Sequence, residues 1–449
     1  MLKSNIKLLI SGVEMRKELV VEVVDFIMGS GKSHACFEWI NNNNHEKFIY
    51  VSPILSEVGS EGRIHQEITG VEFISPEVSE DFSTKTGHLT ELLSQGSNIA
   101  CTHNLYLSMT NKHFDIIEQQ GYIVLLDEEI DVIKSYGTYS TSDINYLINK
   151  GEITVDDKDG LITWIGGGDE VDNLDHKYFK LKNLCDKKSL YLNRGLNAKK
   201  NVLISHIPLK LLSSAKRVIV ITYMFDGSIL DCFLRLKGIK TKPCVDIVPS
   251  RNLKPSDFKD LITLIEPNKK VKNIKMSASW WSALSVKNDE HKKQVSSISN
   301  FIMNTAKSHG IKASELIYTC PKSNAKYITN EKTLKLNPSG YVRYKNEDGK
   351  IEYTWLSVHT RATNDYDDKI MVAHCYSRYP YQPVRVYLET YGYPINLENF
   401  AVASLLQFTW RSRIRKMENI ILLIANERMY NLFWNWLNEK PLKDVKVLN

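Results

Sequence analysis

Leu19–Ser33, LVVEVVDFIMGSGKS, is the stretch that decides the fold. Its first part, Leu19–Ile27, is a dense run of apolar and β-branched residues, the composition of a strand buried on both faces of a parallel sheet. The run passes directly into Met28-Gly29-Ser30-Gly31-Lys32-Ser33, the phosphate-cradling half of a Walker A loop. Two glycines let backbone N–H groups close on phosphate oxygens, a lysine reaches the β- and γ-phosphates, and a serine hydroxyl ligates Mg²⁺. His34–Ile40 reads as the helix whose N-terminus faces the phosphates. Phe26 stands where the full GxxxxGK[ST] pattern has its first glycine, so this is the shorter GxGK[ST] form. Met28 to Ser33 are therefore candidate ligands of ATP, with Ser33 also on the metal.

A second run, Tyr122-Ile-Val-Leu-Leu-Asp127-Glu128-Glu129, has the form of a buried strand ending in a Walker B motif. Such a strand places Asp127 beside the phosphate loop, where it holds Mg²⁺, usually through water. Glu128 then stands where it can orient or deprotonate an attacking water. Glu129 could instead be a surface acid. Both Walker elements in this order point to a P-loop ATPase.

Composition sets the limits. The apolar share of 43% and the charged share of 24% are those of a globular protein of two or three domains. A formal charge of +6 and a pI near 8.7 are compatible with a nucleic-acid partner without requiring one. The seven cysteines are scattered without a CxxC pair, which predicts neither zinc nor disulfides and fits a reducing, cytoplasmic location. The longest apolar runs, Val218–Phe225 and Ile420–Ala425, are too short to span a membrane, and residues 1–12 lack the features of a signal peptide.

Strand-like runs at Leu19–Ile27, Lys47–Ser52, Asn98–Thr102, Tyr122–Asp127 and Arg217–Tyr223, with helical segments between several of them, predict an α/β fold with a parallel sheet. The alternation stops between Asp131 and Lys200, where Ser142–Lys150 reads as a helix and Ile153–Trp164 as a hairpin turning at Asp157–Gly160. We read 131–200 as an insertion in a first domain of residues 1–235, suited equally to contacts with a protein partner and to a plain structural ornament. In a second domain, 236–449, strands are expected around Lys272–Ala278, Leu316–Cys320, Ile351–Val358, Ile370–Cys375, Val384–Leu388 and Asn419–Ala425. A hairpin turns at Asn346–Gly349, and helices are expected at His291–Ser308, Leu397–Lys416 and Glu427–Glu439.

Other candidates are less specific. Ser52, Thr102 and His103 follow strands at the edge where a nucleic-acid backbone would be gripped, although a strand end with a capping Ser or Thr reads the same way. Thr222 closes a strand that could couple the γ-phosphate to the rest of the domain. On one continuous helix Gln407, Arg411 and Arg415 form a single stripe, and its arginines would neutralise charge on a γ-phosphate. A solvated basic face has the same pattern. Asp365, Asp367 and Asp368 read as a solvated loop ahead of a metal cluster, and Trp280 and Trp281 as packing ahead of base stacking.

With these pieces in order, the chain resembles the superfamily 2 DEAD/DEAH-like helicases, in particular divergent helicase-like proteins of bacteriophages. Met28–Ser33 matches motif I, Asp127-Glu128-Glu129 motif II, Thr222 motif III, Thr363–Tyr366 the neighbourhood of motif V, and Gln407–Arg415 motif VI. The resemblance implies two RecA-like domains with ATP in the cleft between them and nucleic acid, DNA ahead of RNA, across the top of both. Glu128, Gln407 and the arginines Arg411, Arg413 and Arg415 would then be catalytic, Ser52, Thr102, His103 and Thr363 would touch nucleic acid, and Thr222 would couple the two events. The expected function is a DNA helicase or translocase of phage replication or recombination. A terminase-like packaging ATPase and a non-catalytic nucleic-acid-binding protein that keeps ATP as a ligand are the alternatives. Three features depart from the family. Motif II continues into Ile130, Thr222 lies unusually far beyond Asp127, and Trp410 stands where motif VI has glycine, which leaves Arg413 and Arg415 both eligible as its last arginine.

Overall fold

The computed structural model describes residues 19–137, 139–157, 159–166, 176–193, 202–325, 333–358 and 365–442. In chain order the first lobe contributes strands β1 (Val20–Asp25), β2 (Phe48–Ser52), β3 (Phe73–Ile74), β4 (Asn98–Thr102) and β5 (Ile123–Asp127). There follow β6 (Ile133–Tyr136), β7 (Ile153–Val155), β8 (Ile162–Trp164), β9 (Leu190–Asn193) and β10 (Val202–His206), then β11 (Arg217–Thr222) and β12 (Lys240–Pro243). Seven of these form one parallel sheet in the order β12-β1-β11-β5-β2-β4-β3.

The central strands are apolar throughout because both faces are covered. Val21, Val23, Ile49, Val51, Val124 and Leu126 belong to one core, and Val24, Phe48, Tyr50, Ile123 and Leu125 to the core on the opposite face. The buried exceptions are Ser52, Thr222 and Glu22, the last in β1 and neutralised by two hydrogen bonds from Arg217 at 3.0 and 2.8 Å. Because β12 pairs with β1, the first lobe runs past the break expected at 236 and through Pro243.

The expected insertion holds an antiparallel sheet β6-β10-β9, the helix Thr141–Asn149 and the β7–β8 hairpin, turning at Gly160 with φ +77, and its sheet joins the first lobe's core through Ile133, Tyr191 and Ile204. It extends to β10, beyond the expected limit of 200.

The second lobe is an α/β domain with a four-stranded parallel sheet, β13 (Ile262–Ile265), β14 (Leu316–Thr319), β17 (Met371–His374) and β18 (Ile420–Ile424), in the order β13-β18-β17-β14. Between β14 and β17 stands the expected hairpin, β15 (Arg343–Lys345) and β16 (Ile351–Tyr353). The helices Leu397–Thr409 and Glu427–Leu437 cover one face of the sheet and Asp289–Ser308 the other.

Two strand expectations fail. Residues 272–277 lie outside any strand and lead into the helix Ala278–Ala283, whose N-cap is Ser277; the strand in this region is β13 instead. Val384–Leu388 belongs to the helix Gln382–Thr390, where Pro383 presets the first turn and Val384, Tyr387 and Leu388 fall on one buried face. That helix leaves its own lobe. It packs in the core of the first lobe, and the segment behind it is tied there by Asn396 N–H to Gly227 O at 2.8 Å. Among the described residues no helix is long and apolar enough to cross a membrane, and all seven cysteines are buried and unbridged.

Candidate functional site

β1 delivers the chain to a loop that only glycine allows at two points, Gly29 with φ +82 and Gly31 with φ +93. Gly31 is also the N-cap of the helix Lys32–Asn42. Lys32 Nζ folds back under the loop and donates to Phe26 O at 2.6 Å and Ile27 O at 3.2 Å. Burial pushes Lys32 down to about 8, against the carboxylates of Asp127, Asp25 and Glu128, which favour its charge. Ser33 lies half-buried in the first helical turn. Ser30 is fully buried, and its hydroxyl has no hydrogen-bond partner among the described residues.

Asp127 ends β5. Burial first, and then the charges of Glu57 and Glu128, push its carboxyl up to about 8, while Arg63 and Lys32 pull it down. The peptide joining Asp127 to Glu128 is clamped on both sides: its carbonyl accepts His103 Nε2 at 2.8 Å and its N–H donates to Ile221 O at 2.9 Å. Glu128 itself has φ +64, a left-handed conformation that is strained for a residue with a side chain. Glu129 is half-buried, not a surface acid; it accepts from Ser228 and Leu230 at the start of the helix Ile229–Leu236, and burial pushes it up to about 7.

β11 lies between β1 and β5, with Asp25 opposite Thr222 and Ile221 opposite Asp127. Thr222 is buried between β1 and β5, and its carbonyl accepts Phe26 N–H at 3.2 Å. The turn that follows is held by Asp25, whose carboxylate accepts the N–H groups of Met224 at 2.7 Å and Phe225 at 3.0 Å.

Of the three strand-end candidates in the first lobe, Ser52 is fully buried and donates to Glu57 at 2.9 Å, which turns it inward rather than towards a ligand backbone. Thr102 caps the helix His103–Leu107, and its hydroxyl accepts Leu105 N–H at 3.4 Å. Thr102 and His103 line an open cavity of about 370 Å³ with Pro53, Leu55, Asn104 and Asp131. Thr363 lies outside the described residues.

From the second lobe, the expected helix over 397–416 stops at Thr409, capped by Trp410, and Arg413–Lys416 is a separate 3-10 turn closed by Met417 at φ +60. The stripe of Gln407, Arg411 and Arg415 on one helix therefore does not exist. Gln407 is exposed on the helix, and Arg413 Nε donates to Asn419 O within its own lobe. Arg415 lies half-buried in the 3-10 turn. Arg411 alone is buried towards the first lobe. It donates through Nη1 to Ser357 O at 3.1 Å, and burial pushes it down to about 10 while Glu128 opposes the shift. A guanidinium of one lobe and the Glu128 carboxylate of the other thus feel each other's charge.

Asp367 pairs with Lys416 at 2.9 Å and Asp368 with Lys369 at 3.0 Å, so neither is free for a metal. Trp281 is core, donating to Cys375 O at 3.1 Å, and Trp280 packs against it. Reading of the sequence missed Asp25, Glu57 and Arg63. Their only signal is position, one before the phosphate loop and two after β2.

Comparison with known proteins adds two findings. Residues 256–437, which span the second sheet, match the family model of the YonV C-terminal Rossmann-like domain. The chain is also 26% identical over 443 residues, 94% of its own length and 99% of the other's, to the SPbeta prophage-derived uncharacterized protein YonV of Bacillus subtilis (strain 168).

Proposed function

We propose that this chain is an ATP- and Mg²⁺-dependent nucleic-acid motor, a helicase or translocase with two RecA-like lobes, acting on DNA in phage replication or recombination. The observation that carries the reading is the glycine loop holding Lys32 at the end of β1 set on the same sheet as Asp127 and Glu128 at the end of β5, with the Arg411 guanidinium of the other lobe within range of the Glu128 charge. The loop N–H groups and Lys32 bind the triphosphate. Ser33 and Asp127 hold Mg²⁺, which bridges phosphate oxygens and offsets their charge. Glu128 is aimed by its clamped peptide at the attacking water, and Arg411 offsets charge developing on the γ-phosphate.

The strand order supports the same reading, because β11 carries Thr222 between the phosphate-loop strand and the metal strand. Hydrolysis at the loop is then felt by Thr222 and by the turn that Asp25 holds. Thr102, at the cavity on the strand ends, is the nucleic-acid contact this scheme favours, while buried His103 serves the clamp on the Asp127 carbonyl rather than a ligand. The prophage relative, similar along nearly the whole chain, favours a phage setting. The test is phosphate release from MgATP measured with single-stranded DNA, duplex DNA, forked DNA and RNA in turn. Stimulation by DNA supports a motor acting on it, and hydrolysis indifferent to every nucleic acid overturns that assignment.

A further inference from the structure

Trp410 stands at the residue where the two lobes touch the phosphate loop. Its ring is held in an aromatic box, edge-on to Phe258 at 4.8 Å between centroids and to Trp436 at 5.8 Å. Ile27 and Met28 of the loop pack into the same apolar cluster. The indole is only 5% exposed, and its Nε1 has no hydrogen-bond partner among the described residues. That nitrogen lies 3.7 Å from where a Cβ on Gly29 would stand, while Gly29 itself is open to solvent. A buried N–H without a partner is costly, and packing alone would be served by phenylalanine. Two further buried donors in the same place also lack partners, the Ser30 hydroxyl within the loop and Nε of Arg411 next to Trp410.

Resting on the ATP site argued above, we propose that the Trp410 indole N–H donates to a phosphate oxygen of the bound nucleoside triphosphate. The second lobe then supplies a neutral, directional donor beside the Arg411 charge, and the helix Leu397–Thr409 registers the triphosphate through its capping residue. The box extends this contact inward. Trp436 Nε1 donates to the Tyr223 hydroxyl at 2.9 Å, so the ring next to Trp410 is bonded to the residue after Thr222.

The experiment titrates a fluorescent, non-hydrolysable ATP analogue with Mg²⁺ into the full chain and into Trp410→Phe, which keeps the ring in the box and removes the donor. A hydrogen bond to a charged oxygen predicts affinity weakened roughly ten- to hundredfold in the variant. Its melting temperature should be unchanged or raised, because an unpartnered N–H has gone. The indole ¹⁵N–¹H resonance that disappears in Trp410→Phe should shift in the unaltered protein when the analogue is added. Should the variant fold poorly, the same resonance is assigned in the unaltered protein through its proximity to the Phe258 and Trp436 rings, and its shift is read there. Binding by the unaltered chain with equal affinity in the variant, or with no shift of that resonance, overturns the assignment of Trp410 and leaves the ATP site intact. No binding by the unaltered chain overturns both.

Discussion

Replacing Arg411 with methionine separates catalysis from stability in a way the structure allows to be worked through. The guanidinium is buried and pushed down from its ordinary value to about 10. Its charged form is therefore disfavoured in place by about 3 kcal/mol, at 1.36 kcal/mol for each pKa unit. Against this stands one hydrogen bond, to Ser357 O at 3.1 Å, worth about 1.5–3 kcal/mol for a charged donor. Methionine fills similar volume without a charge to desolvate, so the folded state should be unchanged or more stable by up to about 2 kcal/mol. The melting temperature should stay within a few degrees of the original or rise. Catalysis should behave oppositely, with kcat falling about a thousandfold or more as the charge facing the γ-phosphate is lost. Thermal melting and phosphate release on the same preparation read both quantities. A melting temperature lowered by more than about 5 °C with activity lost in parallel makes Arg411 a structural residue. Turnover within tenfold of the unaltered protein refutes its role at the γ-phosphate.

Other expectations follow from neighbouring groups. Asp127 must lose its proton to hold Mg²⁺, and its carboxyl is pushed up to about 8. Metal affinity in the presence of nucleotide should therefore climb roughly tenfold per pH unit below about 8 and level off above it. Calorimetry in buffers of different ionisation enthalpy should show proton release on binding near neutral pH; a flat profile from pH 6 to 9 would exclude Asp127 as the titrating ligand. Tyr387→Ala empties a buried aromatic position where the helix Gln382–Thr390 crosses into the first lobe. It should cost about 3–5 kcal/mol and expose residues 382–396 to limited trypsin digestion. An unchanged cleavage pattern would show that the crossing does not depend on that ring.

The parts of the fold that could be read from the sequence are those where local pattern and tertiary role agree. β1, β5 and β11 are dense apolar runs, broken in β1 by Glu22, because both faces are buried, and the loop after β1 is marked by glycines that take positive φ. The β7–β8 and β15–β16 hairpins were marked by turn residues such as Gly160 and Gly349. Local pattern failed where a distant surface decides the outcome. Val384-Arg-Val-Tyr-Leu388 is β-branched and aromatic, yet it becomes a helix because the first lobe offers a groove to Val384, Tyr387 and Leu388. Ala401–Lys416 is helix-compatible throughout, but Trp410 ends the helix by docking between Phe258 and Trp436. The same end brings Arg411 inward and leaves Gln407 outside. Glu57 and Arg63, which set the charge around Asp127, carry no motif and become visible only when β2 lies beside β5.

The most direct measurement is ATP binding and turnover by Glu128→Gln, which keeps the side chain's size and removes its carboxylate. The account predicts a protein that binds MgATP about as tightly as the original and cleaves it at least a hundredfold more slowly. Turnover within a few-fold of the unaltered chain would show that the residue at 128 does not position the attacking water.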